Sequence, residues 1–264
     1  LELFADVLTT VDNQYVIPVD NKKLIQSAID GMLTSLDPHS GYLDPDNFQD
    51  MRDQTRGEYG GLGLEVTAED GVVKVVSPMD DTPAAKAGIK PGDYITAIDG
   101  KSVLGLPLDD AVKLMRGDVG QPITLTISRE KHDPFDVKLV RENIAVKSVK
   151  SHLEGDYGYL RISSFNEKTG DETVDAVKSL EAKDPHMKGL VLDLRNNPGG
   201  LLDQAVAVSS VFLDGGEVVS QRGRDPQDIE RYNAHGGDLT HGLPMVVLIN
   251  SGTASAAEIV SGAL

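Results

Sequence analysis

Apolar residues recur at helical spacing in the first part of the chain. Intervals of three and four residues within Phe4–Tyr15 and Leu24–Leu36 predict two amphipathic helices. The second should end at Asp37, because the following Pro38 disfavours a helical residue before it. We therefore assign residues 1–57 to an N-terminal helical segment. The apolar faces of these helices need a cover, which either the rest of the chain or a second copy in a homo-oligomer would supply.

Residues 58–141 have the short apolar runs and turn residues of a compact β-rich domain. The predicted strands are Leu62–Thr67, Val72–Val76, Tyr94–Ile98, Ile123–Ser128 and Phe135–Val140. Two short helices interrupt them. Pro83–Ala87 ends at Gly88, and the helix from Leu108 to Met115 ends at Gly117.

From residue 142 onwards, apolar strands alternate with helices. Continuous apolar runs at Leu190–Leu194 and Met245–Ile249 predict buried strands, each leading into a helix. This alternation is typical of an α/β layer with a mostly parallel sheet. We therefore predict a multidomain α/β protein whose third domain is 142–264.

Composition excludes several kinds of partner and site. The 264 residues have a net charge of −17, so a nucleic-acid partner would be repelled. There is no cysteine, which excludes disulfides, thiolate metal sites and cysteine nucleophiles. The six histidines have no repeated metal-ligand spacing, so we expect no metal site. No signal peptide is visible, and Leu1 is not a start methionine.

The segment Asn250–Ile259 joins a buried strand to a helix and surrounds Ser255 with small residues. A nucleophilic hydroxyl needs such a setting, because a tight turn exposes its oxygen and the free N–H groups of the helix start can bind an oxyanion. The structural alternative is a capping box, for which Ser255 and Glu258 have the required spacing. These residues alone leave both interpretations open.

A second strand-to-helix turn, Asp193–Gly200, ends in two glycines. Gly199 and Gly200 leave backbone N–H groups uncovered, as an oxyanion hole requires. One such turn alone is usually only a turn. Two in the same α/β layer can converge on a single reacting carbonyl.

Three glycines lie at the start of the first predicted strand of the β-rich domain, in Tyr59–Glu65: Gly60 and Gly61 precede it and Gly63 is its second residue. Their successive amides would form a nest for an anion such as a peptide carboxylate, with the peptide added as an extra strand. A dinucleotide site is the rival interpretation, but residue 66 is not glycine and a strand follows. A plain loop is a further alternative. The residues predicted to bind the tail are Gly60, Gly61, Leu62, Gly63, Leu64, Val66, Leu108, Val112 and Met115.

Several motifs together resemble the carboxyl-terminal processing, or tail-specific, proteases of bacteria and chloroplasts. They are Ser35–Leu43, Thr55–Gly63, Ser77–Ile89, Met115–Gly117, Asp193–Gly200 and Thr253–Ile259, in the family's order over nearly the whole chain. The resemblance implies a helical N-terminal segment, a PDZ domain that reads unstructured protein C-termini, and a peptidase core of the ClpP/crotonase layered type.

The resemblance also implies roles for individual residues. Ser255 would be the nucleophile, and the amides of Ala256 and of Gly199 or Gly200 would form the oxyanion hole. Arg116 would couple tail binding to catalysis, although a cation at a helix end is also favoured by the helix dipole. The family activates its serine with a lysine further along the chain. This sequence ends at Leu264, before that position, so these residues alone are expected to bind tails without cleaving them.

The family further implies an activating adaptor and a periplasmic or otherwise extracytoplasmic location. A different class of function, a non-catalytic peptide-binding scaffold with a PDZ domain on an inactive core, stays open on the sequence. A crotonase-like acyl-thioester enzyme is a third alternative, because that class uses similar glycine-turn oxyanion holes.

Overall fold

A computed structural model describes the backbone of residues 1–264 and every side chain except that of residue 46. The chain divides into two compact units, Leu1–Arg52 and Asp53–Leu264. No helix among the described residues has the length and apolar character needed to cross a membrane.

The N-terminal unit confirms the two predicted helices, α1 (Glu2–Gln14) and α2 (Asn21–Thr34). The carboxylate of Asp20 caps α2 by accepting the N–H of Lys22 at 2.9 Å. A third helix, α3 (Pro45–Arg56), was not predicted. Neither α1 nor α2 contains a fully buried residue, so their apolar positions are at most partly covered by the described residues.

The β-rich domain is confirmed as an antiparallel sheet with strand order β2-β3-β4-β6-β7 and β5 paired to β4. The strands are β2 (Leu64–Glu69), β3 (Val72–Pro78), β4 (Tyr94–Ile98), β5 (Lys101–Ser102), β6 (Pro122–Ser128) and β7 (Phe135–Val140), and the helices are α4 (Pro83–Lys86) and α5 (Leu108–Met115). Alternate strand residues and one side of α5 form its core. Strand β2 lies at the edge of this sheet, with one side unpaired within the described structure.

A two-stranded ribbon lies where the chain enters and leaves this domain. Strand β1 (Glu58–Gly61) pairs antiparallel with β8 (Glu142–Ala145). Gly60 and Gly61 were predicted to precede the first strand as part of an amide nest, but they belong to β1. Only Leu62 and Gly63 remain between β1 and β2.

The α/β layer is also confirmed, with a four-stranded sheet in the order β14-β11-β10-β9. Its elements are β9 (Val149–Glu154), β10 (Tyr157–Ile162), α6 (Thr169–Lys183), β11 (Gly189–Asp193), α7 (Leu202–Phe212), β14 (Met245–Leu248) and α8 (Ala256–Ala263). Pairs β10–β11 and β11–β14 are parallel, and β9 is antiparallel. A separate ribbon, β12 (Glu217–Arg222) with β13 (Ile229–Asn233), was not predicted.

The sheet and its helices share one core, to which fully buried Leu160, Leu192 and Val260 belong. Because β11 and β14 are parallel neighbours, their carboxyl ends meet at the same edge of the sheet, with Asp193 opposite Leu248. Each strand then turns into a helix at that edge. In α/β sheets such an edge is where ligands bind.

Candidate active site

Ser255 lies at the turn between β14 and α8, immediately before the first residue of the helix. Its side chain is exposed, and its backbone has φ 51° and ψ −121°. A non-glycine residue in this region is strained, and such conformations concentrate at functional sites. The buried residues that follow, Ala256 and Ala257, anchor the helix start in the core.

Ser255 and Glu258 also form the capping box that the sequence allowed. Its well-formed half is the one made by Glu258, whose carboxylate accepts the backbone N–H of Ser255 at 2.8 Å. The Glu258 N–H, the donor for the other half, also donates to the Ser255 carbonyl oxygen at 2.8 Å, so it does not depend on the Ser255 hydroxyl. Glu258 therefore performs most of the capping, and the Ser255 hydroxyl stays available for another role.

The two strand-to-helix turns are joined by hydrogen bonds, as the convergence of β11 and β14 led us to expect. The Ala254 N–H donates to the Asn197 carbonyl oxygen at 2.9 Å, one residue before Ser255. The Thr253 hydroxyl donates to the Leu194 carbonyl oxygen at 2.8 Å. Within their motifs, Asn197 and Thr253 were not predicted as site residues, because these two bonds are to partners far away in the chain.

Gly199 touches the serine turn directly. A Cβ atom built on Gly199 would lie 2.7 Å from Ser255 Cβ and 2.9 Å from Ala256 N, and its φ of 100° disfavours any side chain. Both constraints explain why only glycine fits. They also place the backbone of the glycine turn against Ser255.

The amides predicted for an oxyanion hole differ in their availability. The Gly199 N–H donates to the Asn197 side-chain oxygen at 2.8 Å, and Asn197 is fully buried. The N–H groups of Gly200 and Ala256, in contrast, have no hydrogen-bond partner among the described residues. Of the two glycines, Gly200 is therefore the one whose amide is free to bind a ligand.

A buried carboxylate fixes the start of the glycine turn. Asp193, whose side chain is 0% exposed, accepts the Arg195 side chain at 2.6 and 2.9 Å, the Tyr159 hydroxyl at 2.5 Å and Arg161 at 3.2 Å. Hydrogen bonding to Arg195 holds the pKa of Asp193 well below its usual range, against the effect of burial, which alone would raise it. This cluster is a structural support for the turn.

Substitution of Asp193 should destabilise the peptidase core. We expect Asp193→Asn to lower the free energy of unfolding at pH 7 by about 2–3 kcal/mol, because Arg195 and Arg161 lose a charged partner. The folded-state pKa lies below the unfolded value of about 3.9, so this stabilisation is present above pH 4 and is lost as the pH falls further. Chemical unfolding of the 264-residue chain between pH 7 and pH 2 measures it.

The matched control for Asp193→Asn is Asp156→Asn. Asp156 forms an exposed ion pair with Lys188 at 2.6 Å, and the two side chains are 59% and 65% exposed. Exposed pairs contribute about 0–1 kcal/mol, so this variant should unfold almost as the wild type does. Equal losses for the two variants, or a difference that does not shrink in acid, would contradict the role of Asp193.

The predicted tail site is a cleft of about 100 Å³ between β2 and α5, which we call the tail cleft. It is lined by Tyr59, Gly61, Leu62, Gly63, Leu64, Val66, Val112, Met115 and Arg116. Seven of the nine predicted tail-binding residues are in this set. Gly60 is not, since it lies in β1 and its carbonyl oxygen accepts the Gly117 N–H at 3.1 Å. Leu108 is also outside, and it packs against the core of the β-rich domain.

The short segment between β1 and β2 presents free N–H groups. The carbonyl oxygens of Leu62 and Gly63 accept the N–H groups of Ala84 at 3.0 Å and Met79 at 2.8 Å. The amides of Leu62 and Gly63 have no partner in the part of the chain that the structure describes. The Leu62 carbonyl and the Gly63 N–H belong to the same trans peptide group and point in opposite directions. Because the carbonyl faces the Ala84 N–H, the Gly63 N–H points away from Ala84. Gly63 has φ 72° and a Cβ there would lie 2.3 Å from the Thr82 side chain.

Gly61 is a glycine because the Tyr59 ring lies close to it. Gly61 has no positive φ. A Cβ at Gly61 would instead lie 2.7 Å from the Tyr59 ring. Tyr59 was not predicted as a cleft residue; burial raises the pKa of its hydroxyl, and the Arg116 guanidinium lies 4.7 Å from its ring centroid.

Arg116 lines two cavities. Besides the tail cleft, it borders a cavity of about 240 Å³ that also includes Tyr59, Ser164 and Asn166. Between Ser164 and Asn166 lies Phe165, whose N–H donates to the Gly199 carbonyl oxygen at 2.9 Å. The cavity thus lies between Arg116 and the residues on either side of Phe165, which bonds to the glycine turn beside Ser255.

Two further observations on the described residues concern other candidate sites. Among the described residues, no group of three or more His, Asp or Glu side chains could hold a metal ion. A further cavity of about 150 Å³, bordered by Leu180, Met187 and Leu190, contains none of the predicted site residues. It lies near the start of β11, at the opposite end of the strand from the glycine turn.

Three protein-family models match the chain. Peptidase family S41 matches residues 156–264, the PDZ domain matches 74–129, and the Activating protease CtpB N-terminal domain matches 1–47. Each match lies within one of the three parts predicted from the sequence.

Curated relatives match the chain over its whole length. A carboxy-terminal-processing protease of Bartonella bacilliformis is 56% identical over 267 residues, which is 100% of this chain and 62% of that protein. A probable CtpA-like serine protease of Staphylococcus epidermidis is 38% identical over 98% of this chain and 52% of its own length. The chain thus spans between half and two thirds of the length of these relatives. Among solved structures, a photosystem II D1 C-terminal processing protease is 30% identical and covers 100% of this chain and 78% of its own, with a TM-score of 0.47.

Proposed function

This chain belongs to peptidase family S41, and we propose that it is the part of a carboxyl-terminal processing serine protease that binds the substrate's tail and carries the nucleophile. The longer protein would hydrolyse peptide bonds in proteins with unstructured C-termini. The following steps assign the chemistry to named residues.

The conformation of Ser255 is the observation that carries the proposal. An exposed serine with φ 51° and ψ −121° stands at the carboxyl edge of a parallel sheet, where a strand turns into a helix. The strain of such a residue costs about 1–3 kcal/mol and persists only where its surroundings enforce it. Nucleophilic serines of α/β hydrolases stand on strained strand-to-helix turns of this kind.

The oxyanion hole in this proposal consists of the Gly200 and Ala256 amides. Both lack a hydrogen-bond partner within the described structure, whereas the Gly199 N–H donates to the Asn197 side chain. Attack of Ser255 Oγ on the carbonyl carbon would place negative charge on the substrate oxygen, and the two N–H groups would stabilise it. A single such donor is worth about 10²–10³ in kcat.

The general base is proposed to be a lysine outside residues 1–264. In the described residues, no lysine or histidine side chain forms a hydrogen bond with Ser255. The neutral amine would accept the Oγ proton during attack and return it to the leaving amine of the substrate. Water would then hydrolyse the acyl-enzyme, with the same lysine as base.

The substrate's C-terminus would bind in the tail cleft. Its carboxylate would accept hydrogen bonds from the free N–H groups of Leu62 and Gly63. The substrate residues before the carboxylate would pair with the open edge of β2. Val112 and Met115 line the cleft and favour apolar side chains at the end of the tail. The net charge of −17 disfavours acidic tails.

Arg116 is proposed to couple tail binding to the active site. It borders the tail cleft on one side and the cavity with Ser164 and Asn166 on the other. A carboxylate in the cleft would attract its guanidinium and change its position over the Tyr59 ring. The Phe165 backbone, which bonds to Gly199, lies between Ser164 and Asn166.

The resemblance to the family extends the proposal to partners and location. We place the protein in the periplasm or another extracytoplasmic space, with an adaptor as a candidate activator. The incompletely covered apolar positions of α1 and α2 favour contact with a second copy.

A pair of peptides that differ only at the C-terminus tests this function. Hydrogen bonds to a charged acceptor are worth about 1.5–3 kcal/mol each, so a C-terminal amide should bind the 264-residue chain at least about tenfold more weakly than the free acid. Fluorescence titration measures the two affinities. Incubation with the longer protein, followed by mass spectrometry, should show cleavage of the free acid in preference to the amide.

The two halves of the proposal can fail separately. Equal affinities for the acid and the amide would remove the tail-binding role of Leu62 and Gly63. Absence of Ser255-dependent cleavage by the longer protein would remove the protease. Gly61→Val should weaken binding of the free acid as well, because its side chain would collide with the Tyr59 ring.

A further inference from the structure

Two asparagine side chains connect the turns that carry the glycines and the serine. The Asn196 backbone N–H donates to Asn250 Oδ1 at 2.8 Å. In return, Asn250 Nδ2 donates to Asn196 Oδ1 at 2.8 Å. Asn250 Oδ1 also accepts the Gly252 N–H at 3.1 Å, within the serine turn itself.

The orientation of the Asn250 amide is fixed by its partners. Its oxygen accepts two backbone N–H groups, which can only donate, so its nitrogen must face Asn196. Asn196 can therefore take part only through its oxygen. The Asn196 Nδ2 group donates no hydrogen bond to any described residue.

These contacts begin where the sheet ends. The β11–β14 pairing finishes at Asp193 and Leu248, with one more bond from the Leu194 N–H to the Leu248 carbonyl oxygen at 2.9 Å. Asn196 and Asn250 each follow two residues beyond that bond. No strand ladder then controls the separation of the two turns.

Both asparagines are exposed, so they contribute little to a buried core. Asn196 has φ 57°, a left-handed conformation that asparagine and aspartate tolerate better than most residues. Their two hydrogen bonds link the glycine turn to the serine turn. The proposed catalytic geometry requires a constant distance between these two turns. Beyond it lie Gly200 on one turn and Ser255 on the other.

We propose that Asn196 and Asn250 form a clamp that holds the Gly200 amide at a fixed distance from Ser255, so that both are positioning residues for peptide-bond hydrolysis. This inference rests on the proposed function of Ser255. Misplacement of a reacting group by about 1 Å can cost 10²-fold in rate, so a clamp of this kind acts on kcat.

One aspartate and two aspartates should have opposite outcomes. Asn196→Asp keeps the acceptor for Asn250 Nδ2 and strengthens it with a charge. Asn250→Asp alone should also keep the link, because the Asn196 side chain can turn its unused Nδ2 group toward the new carboxylate. The double variant Asn196→Asp/Asn250→Asp places two carboxylates opposite each other with no donor between them. In the longer protein, we expect kcat to fall at least about tenfold for the double variant, with KM changed less than about twofold. Asn196→Asp should retain activity.

A second measurement does not depend on activity. Hydrogen exchange of the Ala254 amide, which bonds to Asn197 between the two turns, should accelerate in Asn196→Asp/Asn250→Asp but not in Asn196→Asp in the 264-residue chain. Melting temperatures of the two variants should agree within a few degrees, as expected for exposed positions.

The clamp is overturned if both variants keep wild-type kcat and exchange, or if both lose kcat alike, since charge near the site would then explain the loss. If the longer protein shows no Ser255-dependent hydrolysis, the proposed function fails. The exchange comparison then decides the clamp by itself, and equal rates at Ala254 would refute it.

Discussion

Ser255→Ala should abolish peptide-bond hydrolysis by the longer protein, with a loss of at least about a thousandfold in kcat. The hydroxyl oxygen of Ser255 is the proposed nucleophile, and no other described hydroxyl shares its position at the strained turn before α8. Steady-state cleavage of an unstructured peptide with a free C-terminus measures the loss. Affinity for the same peptide should not change, because the tail cleft contains no part of this turn.

The fold should tolerate this substitution. Removal of an N-cap side chain costs about 1 kcal/mol, and Glu258 accepts the backbone N–H of residue 255, which alanine retains. The matched control is Ser251→Ala, an exposed serine in the same turn whose hydroxyl has no hydrogen bond within the described residues. Loss of activity together with a large fall in melting temperature would favour a purely structural cap. Full activity of Ser255→Ala would place the nucleophile elsewhere.

Gly199→Ala should lower kcat at least about a hundredfold while leaving tail affinity intact. The added methyl group would lie 2.7 Å from Ser255 Cβ and 2.9 Å from Ala256 N, so the glycine turn and the serine turn must move apart. A displacement of about 1 Å at a reacting group can lower the rate about a hundredfold. The measurement is kcat of the longer protein, with tail binding by the 264-residue chain as the check on folding.

Gly216→Ala separates this contact from backbone strain. Gly216 has φ 97°, almost the 100° of Gly199, but a Cβ at Gly216 would meet nothing within 4 Å. In both variants an alanine must adopt a positive φ, which lowers the free energy of unfolding by about 1–2 kcal/mol. Only in Gly199→Ala does the added methyl group also collide with Ser255. Wild-type kcat for Gly199→Ala, or an equal loss for Gly216→Ala, would contradict the close packing of the two turns.

Local patterns in the sequence determined most of the element types. The periodicity of α1 and α2 and the apolar runs of β11 and β14 each lie within one short window, so they can be read without knowledge of the fold. The motifs around Ser255 and Gly199, read together with the resemblance, indicated the family, and the family matches confirm it.

Strand β1 shows where local patterns stop. Glu58–Gly61 contains two glycines, which are poor strand formers, and its segment therefore suggested a loop. It is a strand because β8, more than eighty residues later, supplies its hydrogen-bond partners, from Ala145 opposite Glu58 to Glu142 opposite Gly61. The ribbon β12–β13 was missed because its residues are mostly polar and exposed.

The sequence by itself determined the residue types at the candidate site, namely a serine among small residues and a pair of glycines after a strand. Only the tertiary structure decided which of their groups are available. The Gly199 N–H donates to the Asn197 side chain, whereas the Gly200 N–H has no partner among the described residues. Tyr59 and Arg116 line the tail cleft in addition to the predicted residues. These outcomes depend on hydrogen bonds and contacts between side chains and distant backbone groups. The fold sets those distances, and no spacing along the chain encodes them.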